Sequence, residues 1–208
     1  RTRSPLRNNW EVAVSKPLDV LLVTPPSRVQ VYQELSRDFA AIEPPVWSGL
    51  IATFLRQHSC SVAILDAEAE GLNHQQTADR IAAIAPRLAV FVIYGQQPSA
   101  STQCMPAGRK VCEILTTLAD IPTLVMGTHP SALPKRTLLD EPYTYVCQGE
   151  GPATILGLVI ALRAPQHSLR EVPGLWHMEK GVPVGNAPAQ LLTNLDRELP
   201  GQAWDLLD

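Results

Sequence analysis

The side chains able to act as nucleophiles or metal ligands are scattered along this 208-residue chain. The four cysteines, Cys60, Cys104, Cys112 and Cys147, form no CxxC or CxxxCxxC pattern. A structural zinc site needs closer spacing, and a secreted disulfide framework needs a denser pattern. We therefore interpret them as reduced thiols that pack as small hydrophobic side chains in a cytoplasmic protein, including Cys104, which is near a helix start where a thiolate would be favoured.

Three other residues could do chemistry from loops. His129 could donate a hydrogen bond to a ligand or be a plain loop residue. Glu150, between two glycines, could contact a ligand or a neighbouring domain, or could stabilise the positive end of the following helix. Asp66 ends a predicted strand, where a ribose-binding acid would lie. The chain has neither a GxGxxG fingerprint after its first strand nor a GxxxxGK[ST] loop, so we favour a cap of the following turn for Asp66.

Five short apolar runs alternate with helical patterns and would position these loops. The predicted strands are residues 19–23, 61–66, 88–94, 123–127 and 143–147. The predicted helices are 46–57, 73–85, 102–119, 134–139 and 153–163, with a polar loop over 28–43. This alternation predicts an α/β, Rossmann-like fold: an open, mainly parallel five-stranded sheet with helices on both faces. The third strand is apolar throughout, which is typical of a central parallel strand.

The pattern changes after residue 163. Residues 172–184 predict a small hairpin around a Glu-Lys-Gly turn, and an irregular apolar tail follows. We therefore expect three parts: a terminal or poorly ordered segment at 1–16, the Rossmann-like domain at 17–163, and a hairpin and connector at 164–208. The apolar tail favours a fragment whose next domain is absent over a chain that works alone.

The composition excludes several function classes. Apolar residues make up 45% of the chain and the formal net charge is −3, which is incompatible with a disordered chain. A weakly negative protein has no general attraction for phosphate, so we expect no nucleic-acid partner. No run of about 18 apolar residues is present, so we expect no membrane span.

In an open parallel sheet, ligands bind at the carboxyl ends of the strands. The loops predicted at those ends are residues 24–28, 66–71, 94–101, 127–132 and 148–152. They are rich in Gly, Pro, Ser, Thr and amide residues, and small residues let a backbone approach a large ligand closely. Helix starts at the same edge can bind a phosphate. This edge therefore predicts a binding platform rather than a self-contained active site.

Several segments resemble a known family. The runs 19–26, 44–50 and 64–67 (DVLLVTPP, PPVWSGL and ILDA) look like the cobalamin-binding domain of class B radical S-adenosylmethionine enzymes. Residues 127–134 (GTHPSALP) and 143–151 (YTYVCQGEG) are similar to that family's Gly-Gly-x-His-x-(small)-x-x-Pro and Val-x-x-Gly-Glu-Gly segments. The resemblance covers about residues 17–207, and its last two motifs are the more specific ones.

The resemblance implies that cobalamin binds with its corrin over the carboxyl edge and its nucleotide tail buried. Residues 24–28 would face the lower side of the corrin, and the loops 94–101 and 127–132 would enclose the tail and its phosphate. The turn 149–151 would close the far side. The cofactor-binding residues so implied are Thr24, Pro25, Pro26, Ser27, Arg28, Tyr94, Gly95, Gln96, Ser99, Gly127, Thr128, His129, Pro130, Ser131, Ala132, Gly149, Glu150 and Gly151.

The chain departs from related patterns in two places. Methionine-synthase-type domains supply a cobalt ligand from Asp-x-His-x-x-Gly after the first strand, and no His occurs here between Val23 and Gln57. We therefore expect no His ligand from that loop, with Arg28 or an apolar neighbour shielding the lower face. Thr128 stands where the family often has Gly, which would narrow that turn.

The resemblance implies a larger enzyme around this domain. The radical domain of the family carries a CxxxCxxC motif for a [4Fe-4S] cluster and cleaves S-adenosylmethionine, and this chain has no such motif. We therefore expect that the chain is not catalytic alone but belongs to a radical methyltransferase or cyclase, with the radical domain in cis and a small-molecule substrate. Two alternatives remain: a flavodoxin- or receiver-like regulatory module that binds no corrin, and a degenerate domain kept as an interaction scaffold.

Overall fold

A computed structural model describes residues 17–36, 38, 40–95, 100–164 and 166–207. The predicted terminal segment 1–16 and the candidate residues Gln96 and Ser99 lie outside the described residues. The strands are β1 (Val20–Thr24), β2 (Val62–Asp66), β3 (Leu88–Val92), β4 (Thr123–Met126), β5 (Tyr145–Cys147), β6 (Leu175–Glu179) and β7 (Val182–Gly185). The helices are α1 (Arg28–Tyr32), α2 (Val46–Gln57), α3 (His74–Ile84), α4 (Ala100–Leu118), α5 (Thr128–Ala132), α6 (Pro134–Asp140), α7 (Pro152–Arg163) and α8 (Leu195–Glu198).

The strands form one mixed sheet in the order β2-β1-β3-β4-β5-β6-β7. The first five are parallel, and β6 and β7 add to β5 in antiparallel fashion. The predicted α/β fold with a mainly parallel sheet is therefore confirmed. The sheet has seven strands rather than five, because the predicted hairpin joins its edge. The division at residue 163 stays a prediction.

The two faces of the sheet carry separate apolar cores, since side chains alternate along each strand. Helices α2 and α7 cover one face, against Val20, Leu22 and Val90. Helices α3 and α4 cover the other face, against Leu21, Val23 and Phe91. Every residue of β3 is buried, which confirms its prediction as a central strand.

Local sequence explains most helix boundaries. Asn73 accepts a hydrogen bond from the Gln76 amide, and the Gln76 side chain accepts one from the Asn73 amide, a capping box that starts α3. Helix α2 begins directly after Pro44 and Pro45 and has the predicted bounds. The polar loop predicted over residues 28–43 is partly wrong, because α1 and a 3-10 helix at Gln33–Ser36 fill its first half. Hydrogen bonds from Arg28, described below, hold that segment together.

The segment after β7 packs back over the domain and is here called the connector (residues 186–207). Leu192, Leu199 and Leu206 contact the core beneath α2 and α7. The Ala203 amide donates a hydrogen bond to the Gly49 carbonyl in α2. The connector is therefore part of the packed domain rather than a free linker. In the described part of the chain, no helix combines the length and apolar character that crossing a bilayer requires.

Candidate functional site

The strand order places a crevice between the carboxyl ends of β1 and β3. After β1 the chain crosses to β2 on one side, and after β3 it crosses to β4 on the other, so the two loops diverge and leave a gap. A cavity of about 400 Å³ opens in this gap, within the usual size range of ligand pockets. It is lined by residues from the end of β1 and α1 (Thr24, Ser27, Arg28, Val31, Tyr32), the approach to α2 and its first turn (41–48), Glu68, the end of β3 (Val92, Tyr94, Gly95) and the start of α4 (Ala100, Cys104).

The Glu68 carboxylate accepts hydrogen bonds that hold the loop after β1 in place. One oxygen accepts hydrogen bonds from the backbone N–H groups of Ser27 and Arg28, each at 2.7 Å. The other accepts the Arg28 Nε–H at 3.3 Å. Arg28 also donates from Nη1 to the Ser36 carbonyl at 2.6 Å. Arg28, the only strongly basic residue of the candidate set, therefore stabilises the conformation of this loop. Its positive charge is balanced by Glu68.

Two aromatic rings meet at the mouth of the cavity. Trp47, in the first turn of α2, stacks on Tyr94 with ring centroids 4.9 Å apart and planes inclined by 24°. Burial, with smaller contributions from Cys147 and Glu150, raises the pKa of Tyr94 to about 12. The phenol is therefore neutral at physiological pH. This pair forms a flat apolar wall, and Trp47 is partly open to solvent.

Two hydroxyl groups of the cavity lining have no hydrogen-bond partner among the described residues. Ser48 is completely buried and its Oγ has no partner. Thr24, at the end of β1, is only partly buried, but its Oγ1 atom is buried and also has no partner. An unsatisfied buried hydroxyl costs about 1–3 kcal/mol, so such groups usually have a partner that the protein chain alone does not supply.

The turn after β4 supports the cavity from outside rather than lining it. The backbone at Gly127 lies so close to Ile93 that an added Cβ would be 2.0 Å from the Ile93 carbonyl oxygen. Ser101 donates to that oxygen at 2.6 Å and accepts the His129 amide at 3.1 Å. The Nδ1 atom of His129 lies 2.9 Å from the Thr102 hydroxyl. These polar groups are thus already bonded within the protein.

The Gly-Glu-Gly turn after β5 also lies outside the cavity. The Gly149 amide donates to the Ser131 hydroxyl at 2.9 Å. The Glu150 carboxylate accepts the Leu192 amide of the connector at 2.9 Å. Glu150 therefore contacts the connector, and the predicted contact with a ligand or a neighbouring domain stays a prediction. The Asp66 carboxylate accepts the Ala69 amide at 3.2 Å, as expected for a cap of its turn.

The structure thus brings together only part of the candidate set. Thr24, Ser27, Arg28, Tyr94 and Gly95 share the cavity. Pro25 is buried beside it, and Pro26 borders a separate depression with His74 and Arg109. The residues from Gly127 to Ala132 and from Gly149 to Gly151 lie at the ends of β4 and β5, and their part in binding stays a prediction.

Sequence reasoning missed Trp47, Ser48 and Glu68 as cavity residues. A usable signal existed for the first two, because a helix that follows a parallel strand starts at the carboxyl edge of the sheet. The prolines at 44 and 45 mark that start. Glu68 lies in the loop 66–71 that the sequence places at this edge, but its contact with the loop after β1 depends on the pairing of β1 with β2.

The cavity suits the cofactor that the sequence resemblance implies. Its walls are mostly apolar side chains, such as Val31, Ile42 and Val46, around a few polar groups. The unpartnered hydroxyls of Thr24 and Ser48 could donate to a polar appendage of a large ligand. Among the residues that the structure describes, no group of three or more His, Cys, Asp or Glu side chains could hold a metal ion.

Comparisons with known proteins agree with this fold. The sequence profile of the B12 binding domain matches residues 35–159. The radical S-adenosylmethionine methyltransferase TsrM from Kitasatospora setae, with tryptophan substrate and aza-SAM bound, superposes with a TM-score of 0.63 at 20% identity over 84% of this chain and 31% of TsrM. OxsB, a cobalamin-dependent S-adenosylmethionine radical enzyme, with aqua-cobalamin and S-adenosylmethionine bound, superposes with a TM-score of 0.68 at 17% identity over 91% of this chain and 25% of OxsB. No curated protein matches. The present chain spans only about a quarter to a third of these structures, and at these identities the likeness shows a shared fold.

Proposed function

This chain belongs to the B12-binding domain family, and from that premise we propose that it binds cobalamin at the carboxyl edge of its sheet. The cavity between the ends of β1 and β3 carries the proposal, because it lies at the point where strand order reverses and where ligands of this fold class bind. Cobalamin supplies methyl-transfer or redox chemistry when bound, while the protein supplies position and environment.

The residues of this chain have separate roles in that proposal. Val46, Trp47 and Tyr94 form an apolar wall that the bound corrin would cover. The loop after β1 is held by Glu68, and its residues Ser27 and Arg28 would contact the corrin. No histidine occurs between Val23 and Gln57, so in this proposal the loop leaves the lower face of the corrin without an imidazole ligand.

We place this domain in a longer radical S-adenosylmethionine enzyme. The neighbours TsrM and OxsB, named for that chemistry, support the placement, and each is three to four times as long as the matched region. The [4Fe-4S] cluster, the S-adenosylmethionine site and most substrate contacts would then lie in a radical domain in cis. The chain itself has no CxxxCxxC motif.

The test is direct binding of hydroxocobalamin to the purified chain. Excess corrin is removed by gel filtration, and the visible spectrum of the protein peak reports retained cofactor. We expect wild type to retain corrin and Thr24→Phe, which would place a bulky ring at the cavity wall, to lose at least about tenfold in affinity. Thr116→Phe, at an exposed position of α4, is the matched control and should retain corrin. A wild-type chain that elutes without corrin would disprove the proposal.

A further inference from the structure

The first turn of α2 lines the cavity and has no side-chain cap. Pro45 occupies the N-cap position and offers no side-chain hydrogen bond. The Val46 amide donates to the Pro44 carbonyl at 2.8 Å and the Gly49 amide to the Pro45 carbonyl at 3.0 Å. Between them, the helix itself has no acceptor for the amides of Trp47 and Ser48, as at the start of any α-helix. This end of a twelve-residue helix carries partial positive charge.

A buried hydroxyl provides an independent sign of a ligand at the same place. Ser48 lies in this first turn, has no solvent exposure, lines the cavity, and has no partner for Oγ. In many helices a serine hydroxyl bonds back to the carbonyl four residues earlier, but Ser48 does not use the Pro44 carbonyl. The unpartnered Thr24 hydroxyl lines the same cavity from the end of β1. The first turn of α2 and two hydroxyl groups without hydrogen-bond partners therefore belong to the lining of one cavity.

The charges around this point are compatible with an anion. Arg28 and Glu68 line the cavity as an ion pair, with Nε and Oε1 3.3 Å apart. Both Glu68 oxygens also serve as acceptors for groups of the β1 loop. The remaining carboxylate of the lining belongs to Glu43, which is an exposed residue. The positive end of α2 is therefore not neutralised by a buried carboxylate.

Several described donors in the loops that the family resemblance places around cobalamin are bonded within the protein. The Ser101 hydroxyl donates to the Ile93 carbonyl, and the His129 amide donates to Ser101. The Gly149 amide donates to Ser131. The first turn of α2, in contrast, has no side-chain cap for its amides.

We infer that the N-terminus of α2 binds a phosphate group, with the hydroxyls of Ser48 and Thr24 as additional donors. This inference rests on the proposed function, under which the phosphate is the phosphodiester that links the corrin to its nucleotide. Free inorganic phosphate has the same chemistry and is the other source of such a group. The site would thereby select corrins that carry the nucleotide loop over corrins that lack it.

The experiment compares cobalamin with cobinamide, which lacks the phosphodiester and nucleotide. Equilibrium dialysis with absorbance detection gives the affinity of wild type, Ser48→Ala, Thr24→Val and Thr53→Ala for each corrin. We expect Ser48→Ala to weaken cobalamin about tenfold, the usual worth of a hydrogen bond to a charged group, and to leave cobinamide unchanged. Thr24→Val should act in the same direction. Thr53→Ala is the control, because its hydroxyl lies one turn further along α2 and bonds to the Gly49 carbonyl.

Stability of the corrin-free protein separates this role from a structural one. Ser48→Ala removes an unsatisfied buried hydroxyl, so urea unfolding should show unchanged or higher stability of the free variant. A lower stability together with equal losses for both corrins would mean that Ser48 acts through packing, and would overturn the inference. Equal affinity of wild type and Ser48→Ala for cobalamin would overturn it as well.

A phosphate titration distinguishes this inference from the proposed function. Thermal unfolding is followed with inorganic phosphate against sodium chloride at matched ionic strength. If wild type binds cobalamin more tightly than cobinamide and this preference depends on Ser48, both the proposed function and the inference are supported. Cobalamin binding without any Ser48 effect leaves the proposed function and ends the inference. Stabilisation of wild type but not Ser48→Ala by phosphate, with no corrin retained, keeps the phosphate site and ends the proposed function. If no corrin is retained and phosphate does not stabilise the wild type, both the inference and the proposed function are overturned.

Discussion

The Asp19 carboxylate connects three parts of the chain at the amino edge of the sheet. It accepts Arg163 Nη2–H at 2.6 Å from the end of α7, and the amide and hydroxyl of Ser61 at 2.8 and 2.7 Å from the start of β2. Burial by itself would raise the pKa of Asp19, but the hydrogen bonds from Arg163 and Ser61 outweigh it and hold the pKa well below its usual range. The charged form is therefore the one that the fold requires.

Asp19→Asn should lower the free energy of unfolding by about 2 kcal/mol at pH 7, since it removes charged hydrogen bonds in a buried position. Because the folded pKa is depressed, the wild-type contribution is complete above the unfolded pKa of about 4 and is lost as pH falls towards the folded value. Urea unfolding at pH 7 and pH 3 should thus show a smaller pH effect in the variant. Asp205→Asn, in the exposed pair with Arg56, should stay close to wild type. An unchanged pH effect in Asp19→Asn would contradict this account.

His129 is the only histidine of the candidate set. Its ring is tied to Thr102 and does not line the cavity. Burial, with a smaller effect of Arg136, lowers its pKa, so the imidazole is neutral at pH 7 and chemically able to bind a metal. We nevertheless expect His129→Ala to leave the visible spectrum of bound corrin unchanged, because the hydrogen bond holds the ring outside the crevice. A shift of the long-wavelength corrin bands in the variant would identify His129 as a cobalt ligand.

At the scale of elements, periodicity predicted the parallel strands and α2, α3 and α7 to within about two residues at their boundaries. It failed at α1, whose five residues include no buried side chain. Such a segment has no apolar stripe to detect, and Arg28 and Glu68 hold it instead. The set of residues that line the cavity was predicted only in part, for a different reason. The order β2-β1-β3 decides which loops share a crevice, and strand order arises from tertiary pairing rather than from local pattern.

The contact between the ends of β3 and β4 depends on a glycine. Gly127 has a φ of +146°, and a Cβ there would lie 2.0 Å from the Ile93 carbonyl oxygen and 2.9 Å from the Ser101 hydroxyl. Gly127→Ala should lower the free energy of unfolding by about 3 kcal/mol, because backbone strain and a clash with backbone act together. Gly71→Ala, with φ +64° and open space around it, should cost only about 1 kcal/mol. Similar losses in the two variants, measured by urea unfolding, would refute the close-contact explanation.

At the scale of the whole molecule, the connector links the far edge of the sheet back to the candidate site. It leaves β7, donates the Leu192 amide to the Glu150 carboxylate, and ends against α2. There the side chain of Gln202 lies against Gly49, the residue after Ser48. The sequence predicted an apolar tail whose partner is an absent domain, whereas Leu192, Leu199 and Leu206 contact this domain's own core. The Leu side chains alone do not identify the helix that they cover. The start of α2 is thus packed between the cavity on one side and the connector on the other.

Ala203→Asp tests whether this packing positions α2. Ala203 is 4% exposed within the core on the α2 face, so a carboxylate there would be buried without a partner. We expect a loss of about 3 kcal/mol in the free energy of unfolding. Hydrogen exchange should rise in the first turns of α2, next to the amide bond from Ala203 to the Gly49 carbonyl. Trp204→Asp is the matched control, since the adjacent Trp204 is 58% exposed and its replacement should change neither measurement. If hydrogen exchange in α2 stays at the wild-type rate while stability falls, the connector does not position α2. The geometry of the cavity then depends on the sheet and its loops alone.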